Sequence, residues 1–359
     1  MNINEIDLLR RLCNFKKERF DRQETGLLEY ATPEVLGQLF FNRMQGVAYG
    51  VLKSAEQLNK VNREFRNSLK TAYEQNLQKN QSFFQCVNYI TDLLSKCTCN
   101  YALLKGAVLC GAYPDGYRTS NDIDILIDAA DIPHIEEILY SAGFRQGYIR
   151  NGEFAAASRK MIIESRLTRG ETVPFIKKIN LPGMEYLEID INFSLDYKPG
   201  DGTLIQKMLE NTGTYETGGT KVNTLCREDF FIHLCLHLYK EASTFSWITM
   251  KRDMTLYKYC DIYMLLHQMG RDETAALFKR ISELGLEKIC AFAILYTASF
   301  FTVNNGLAVK KAEEVFADNS DFLHTVADPG QKRKLVYKNK NITERFFLNE
   351  REKNLMEVN

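Results

Sequence analysis

The chain reads as an α+β protein in which a mixed sheet with its helices is flanked by N- and C-terminal helical regions. Three patterns predict this. Apolar residues recur at three- and four-residue spacing through residues 3–97 and again from 227 onward, the period of helices. Between these regions, residues 101–149 alternate short apolar runs with helical stretches in the order β-α-β-α-β. Two further alternating segments, 172–180 and 186–193, bracket Leu181-Pro182-Gly183-Met184 as a hairpin. The expected division is residues 1–97, 98–200 and 201–359.

The elements follow from local signals. Ile6, Leu9, Leu12 and Cys13 share one helix face, and Thr32-Pro33-Glu34 is a cap with proline at the first helical position. Residues 53–81 are rich in Asn, Gln, Lys and Glu, with Leu58, Val61, Phe65, Leu69 and Ala72 in a narrow stripe. That pattern predicts a long surface helix packing through its stripe, with a second helix at 83–95. A strand at 101–104 turns sharply at Gly106 into a helix at 107–113. Next come a strand at 123–127, a helix at 131–142 closed by Gly143, and a strand at 144–149. The pattern at 153–165 reads as a weaker helix. Residues 200–219 are polar, with a short helix and a Gly218-Gly219 turn, and mark the passage to the C-terminal region. Helices are expected there at 228–242, 253–269, 272–284, 286–301 and 343–356.

Composition narrows the function. Lys plus Arg number 46, Asp plus Glu number 46 and the net charge is zero, so no global field draws the 359-residue chain to nucleic acid or a membrane surface. The longest strongly apolar run, 289–301, is too short to span a bilayer. The acidic start, Met1-Asn2-Ile3-Asn4-Glu5-Ile6-Asp7, lacks the basic-then-apolar order of a secretory signal. Nine scattered cysteines fit reduced thiols better than a disulfide framework, and a cytoplasmic address is expected. Cys97-Thr98-Cys99 has no second close pair to complete a zinc site, and His233 and His237 share a helix face without an H-E-x-x-H motif. The cluster Lys332-Arg333-Lys334 with Lys338 and Lys340 reads first as a solvated loop, and more sharply as a polyphosphate or nucleic-acid contact.

The chemistry concentrates between residues 103 and 127. Gly106 begins a helix whose N-terminus would offer backbone N–H groups to an anion. Asp122 and Asp124 flank Ile123 in a strand of period two, so both carboxylates share one face while Ile123 and Ile125 turn inward. Two such carboxylates suit Mg²⁺, which takes hard oxygen ligands and shares its shell with phosphates. An isolated D-x-D is usually the solvent face of an edge strand. Here a glycine turn, Arg118 and Ser120 precede it, and a third acidic strand follows. In that strand Glu188, Asp190 and Asn192 alternate with Leu187, Ile189 and Ile191, which makes Asp190 the candidate third carboxylate and Glu188 its rival.

Lys105-Gly106, a short helix ending at Tyr113, then Arg118 and Asp122-Ile123-Asp124 resemble the K-G…R…D-h-D-h signature of the bacterial uncharacterised nucleotidyltransferases, a branch of the polymerase-β-like superfamily. Asp190-Ile191-Asn192 is similar to that family's D-h-H segment, with Asn for His. Ala107 stands where the wider superfamily has serine. The resemblance implies a polymerase-β-like core and Mg²⁺-dependent transfer of an NMP from an NTP to an acceptor hydroxyl, with pyrophosphate leaving. Asp122, Asp124 and Asp190 would hold two Mg²⁺ ions, with Mn²⁺ as an alternative. Lys105, Gly106, Arg118, Ser120 and His237 would contact the nucleotide, His237 being supported by Lys251, Arg252 or Lys258 and by Asp261-Ile262. The expected partners are an NTP, ATP first, and an unidentified small-molecule, peptide or protein acceptor. Two readings stay open beside this: phosphoryl transfer at the same site, and a non-catalytic nucleotide- or partner-binding protein.

Overall fold

The computed structural model describes residues 1–17, 19–195, 202–318 and 320–358. It divides into two compact units, Glu74–Phe230 and the combination of Met1–Tyr73 with Phe231–Asn359. The division at residue 200 expected from sequence lies outside the described residues.

The first unit is built on a six-stranded sheet. Its strands are β1 (Tyr101–Leu103), β2 (Asp122–Ile127), β3 (Arg145–Arg150), β4 (Glu153–Ala156), β5 (Phe175–Leu181) and β6 (Met184–Asn192), in the order β1-β2-β6-β5-β3-β4. All neighbours pair antiparallel except β2 and β6, so the sheet is mixed. The apolar positions of β2 and β6 explain why both strands lie inside the sheet rather than at its edges. Ile123, Ile125, Leu126, Ile127, Leu187, Ile189 and Ile191 are fully buried, and burying one such side chain contributes about 1.5–3 kcal/mol. A separate hairpin of β7 (Thr212–Thr217) and β8 (Thr220–Leu225) turns at Gly218 and Gly219, both at positive φ. A Cβ on Gly111, in the helix Gly106–Ala112, would lie 2.9 Å from the Thr217 Cα, so that glycine lets helix and hairpin approach.

The second unit is mainly helical. Ile3–Cys13, Arg22–Leu27, Pro33–Phe41 and Gln45–Ser54 lie in it with Leu256–Gln268, Arg271–Glu283, Glu287–Phe300 and Gly306–Val315. Hydrogen bonds join the two ends of the chain: Arg10 Nε donates to the Phe300 carbonyl at 3.2 Å, and the Thr302 amide to Asn14 Oδ1 at 2.7 Å. Thr32 caps its helix by accepting from the Val35 amide, with Pro33 in the first turn as the sequence predicts. A small antiparallel sheet, β9 (Thr325–Asp328), β10 (Arg333–Tyr337) and β11 (Leu355–Val358), completes the unit, with β10 central.

Several expectations need correction. The long helix starts at Arg63, not 53, and runs unbroken to Leu94, joining the two helices expected. Asn62 sets its start: Oδ1 accepts from the Phe65 amide at 2.8 Å while Nδ2 donates to the Ala31 carbonyl at 2.9 Å. Residues 153–165 are not one helix. Asn151 and Gly152, both at positive φ, make a two-residue hairpin turn into β4, and Ser158 then caps the helix Arg159–Thr168. Within 200–219, residues 200 and 201 lie outside the described residues, Thr203–Leu209 is the short helix, and β7 occupies what reads as a connection. The final helix shrinks to Ile342–Phe346 and gives way to β11. Of the basic cluster, Arg333 and Lys334 lie in β10 while Lys332, Lys338 and Lys340 lie in the loops that flank it, and Arg333 is ion-paired with Asp328 at 3.0 Å and Glu357 at 3.5 Å.

Candidate active site

The site begins with the parallel register of β2 and β6. Asp122 lies opposite Glu188, Asp124 opposite Asp190, and Leu126 opposite Asn192. With side chains alternating along each strand, the four carboxylates fall on one face and the isoleucines between them on the other. Both Asp190 and its rival Glu188 are therefore in the cluster. Asp190 sits beside the more buried aspartate.

Each aspartate of β2 has a partner from a turn earlier in the chain, Asp122 from the segment just before β2 and Asp124 from the turn between β1 and the helix Gly106–Ala112. Ser120 Oγ donates to Asp122 Oδ1 at 2.7 Å. Gly106 makes that position available, because a Cβ there would lie 2.5 Å from both Cβ and Oγ of Ser120. Lys105 Nζ donates to Asp124 Oδ1 at 2.7 Å, and Asn192 Nδ2 approaches the same oxygen at 3.4 Å. Lys105 achieves this from a backbone at φ +43, ψ −113, a region costly for a side-chain-bearing residue by about 1–3 kcal/mol. The amides of Ala107, Val108 and Leu109 donate to the carbonyls of Leu104 and Lys105, so these first-turn donors are engaged within the chain.

The electrostatics are unbalanced toward negative charge. Burial, then Asp124, Asp122, Glu188 and Glu171, pushes the Asp190 carboxyl well above its ordinary value. Glu188 is raised by burial, Asp122 and Asp124. Burial also lifts Asp124, against the pull of Lys105. Burial disfavours the Lys105 ammonium, but Asp124, Asp122 and Asp190 outweigh it and hold its pKa above the ordinary lysine value. Several carboxylates that repel one another, all hard oxygen donors, fit a divalent cation of the Mg²⁺ type. Among the described residues no three His, Cys, Asp or Glu side chains converge into a ready metal cage, and Lys105 is the group seated against Asp124.

Arg118 lies in the same turn, its Nη1 donating to the Thr119 carbonyl. Sequence reasoning missed two neighbours, Lys79 and Glu171, and named a third, Asn192, without this role. Lys79, from the helix Arg63–Leu94, bonds Asn121, next to Asp122. Asn192 braces Asp124 rather than merely replacing a histidine. Glu171 bridges in backbone to Asn192 and adds to the charge on Asp190. Only the alternation that exposes Asn192 was a usable signal.

His237 belongs to the other unit. Its Nε2 is 3.6 Å from Glu241 Oε1, one helical turn on, and Glu241 also pairs with Lys258, whose Nζ donates to the Arg252 carbonyl at 3.0 Å. Of the basic residues considered with His237, Lys258 is the one joined to it through Glu241. Glu241 itself was readable only as the i+4 neighbour of His237.

A mixed α+β sheet carrying a D-x-D strand beside a parallel acidic strand sets the class. A family model described as "Uncharacterised nucleotidyltransferase" matches residues 32–302, and the chain belongs to that family. Among solved structures, the crystal structure of an antigenic nucleotidyltransferase-like protein from Paracoccidioides brasiliensis is similar at 16% identity and TM-score 0.32, covering 59% of this chain and 92% of that one. No curated protein matches the chain. No helix among the described residues is long and apolar enough to cross a membrane.

Proposed function

We propose that the protein transfers a nucleoside monophosphate from an NTP, ATP first, to a hydroxyl on a small-molecule, peptide or protein acceptor, in the cytoplasm and with Mg²⁺. The observation that carries this reading is the β2–β6 register, which sets Asp122 and Asp124 opposite Glu188 and Asp190. Family membership supports the reaction class.

Asp122, Asp124 and Asp190 are the residues that would hold the metal, two Mg²⁺ ions or Mn²⁺ in their place. Bound metal would neutralise the triphosphate and lower the pKa of the acceptor hydroxyl. Ser120 keeps an Asp122 oxygen aimed, and Asn192 does the same for Asp124. Lys105 neutralises Asp124 until a ligand competes for that carboxylate, and is then placed to meet phosphate charge together with Arg118. Gly106 lets the turn lie against Ser120. No covalent enzyme intermediate is needed, because alignment and charge stabilisation suffice for phosphoryl-type transfer.

The test is a thermal-shift panel of ATP, GTP, CTP and UTP, each with and without Mg²⁺, on wild type and Asp122→Asn. A ligand that binds only the native state raises the melting temperature by mass action. Stabilisation by a triphosphate that requires Mg²⁺ and is lost in the variant is the expected result. If no triphosphate shifts the wild type at millimolar concentration, or if the variant responds equally, the assignment is wrong. With the donor known, product mass on the acceptor separates NMP transfer from phosphate transfer.

A further inference from the structure

Outside the carboxylate site, Cys97 and Cys99 bring two partly exposed thiols into contact. Their sulfurs lie 2.7 Å apart, in hydrogen-bond contact across the single residue Thr98. The pair sits in the connection between the helix Arg63–Leu94 and β1, where no ladder has to break for the two side chains to join. Both are partly exposed, whereas Cys13, Cys86, Cys110, Cys235, Cys260 and Cys290 are buried; Cys226 is the remaining partly exposed thiol. A structural role in the core would call for the opposite placement.

We propose that Cys97 and Cys99 are an oxidisable dithiol that closes to an intrachain disulfide by exchange with a low-molecular-weight disulfide of the glutathione type. In the first step the Cys97 thiolate attacks one sulfur of RSSR. The S–S bond breaks, one RS⁻ leaves and takes up a proton, and Cys97 carries a mixed disulfide. Cys99 then loses its proton and attacks the Cys97 sulfur, expelling the second RS⁻. Two protein thiols are oxidised by two electrons while one RSSR is reduced to two RSH.

The order of attack follows from the surroundings. Burial, then the hydrogen bond and charge of Cys97, and more weakly Asp131, push the Cys99 thiol up to about 12. Cys99 therefore keeps its proton as the partner of Cys97 and acts second, from a position already against the sulfur it must attack. The loop also favours closure, since the Cys97 amide is tied to the Leu94 carbonyl at 2.9 Å and fixes where the segment leaves the helix.

The experiment uses the full chain, reduced and then exposed to oxidised glutathione, quenched with an alkylating agent and digested with trypsin. Cleavage after Lys96 and Lys105 leaves both cysteines, and no other, in one peptide of residues 97–105. The expected result is that this peptide loses both alkylatable thiols, is lighter by two hydrogens, and recovers them on reduction. Cys99→Ser is expected to stop at a mixed disulfide on Cys97, and Cys97→Ser to react no faster than Cys226. A wild-type peptide that stays doubly alkylated while Cys226 is modified overturns the proposal. So does a wild-type chain that accumulates the mixed disulfide without closing. The wild-type arm decides the matter even where a variant folds poorly.

Discussion

Two acidic sites in this chain, one fully buried and one half-buried, are built on opposite charge balances. In the helical unit Asp253 is fully buried and accepts two hydrogen bonds from Arg351, Nε to Oδ2 and Nη2 to Oδ1, each 2.7 Å. One anion meets one cation, and both carboxylate oxygens are used. In the sheet unit Asp122, Asp124, Glu188 and Asp190 share a strand face, and three of them are lifted above their ordinary values despite the Lys105 ammonium beside Asp124. The closed pair has nothing left to offer a ligand. The open cluster keeps an unmet demand for positive charge, which the proposed metal would meet and which the structural ion pair does not have.

The largest expected effect comes from breaking the closed pair. Arg351→Met leaves Asp253 buried without a partner and should cost about 3–5 kcal/mol of stability, read by urea unfolding of the helical unit. The same assay on metal-free Asp190→Asn should show no loss, because that change removes a repelled carboxylate. Equal destabilisation by both would erase the distinction between the sites.

A smaller loss is expected from Gly106→Ala. The new methyl would lie 2.5 Å from Ser120, so backbone or Ser120 must move, at about 1–3 kcal/mol. Because Ser120 also holds Asp122, weaker Mg²⁺-dependent nucleotide binding should accompany the stability loss. A variant with wild-type unfolding would show that the turn has slack the geometry does not suggest.

The two units should also respond to pH in opposite directions. Asp190 and Glu188 have folded pKa values raised above the ordinary carboxylate value of about 4, so the native chain binds more protons than the unfolded one between the two values. Their contribution to metal-free stability is greatest below about pH 4 and declines as pH rises through the raised values. In the helical unit, burial and then Arg345 and Lys340 depress His324 to about 4. Its contribution is present above the ordinary histidine value of about 6.5 and is lost as pH falls toward 4. Melting curves across pH, with and without Mg²⁺, check both signs: the metal-dependent gain should widen with rising pH, since the ligands must be deprotonated to bind.

Much of this comparison was legible in the chain itself. Alternation in Asp122-Ile123-Asp124 and in Glu188 to Asn192 specifies which side chains share a face, and the same alternation buries the isoleucines. Parallel pairing of β2 with β6 was not legible, because β3, β4 and β5 intervene in sequence and register depends on packing across that distance. The β3–β4 hairpin was written in Asn151-Gly152 and passed over in favour of a helical period. Lys105 was singled out for its side chain, yet its positive φ arises from the tight turn between β1 and the following helix, and its engagement with Asp124 depends on β1 lying beside β2.

The finest test separates a residue that touches nucleotide from one that positions a ligand to the metal. Ser120 was singled out for phosphate, but its hydroxyl is spent on Asp122 Oδ1. Ser120→Ala should therefore lower apparent Mg²⁺ affinity about tenfold, the low end for loss of a group that orients a metal-binding carboxylate. Ser120→Thr, which keeps the hydroxyl, should restore most of it. Titrating Mg²⁺ at saturating nucleotide, and nucleotide at saturating Mg²⁺, distinguishes the roles: a positioning residue moves the first curve and leaves the second nearly in place. If the nucleotide curve moves instead, Ser120 contacts the triphosphate in the working complex, and its bond to Asp122 belongs only to the ligand-free state.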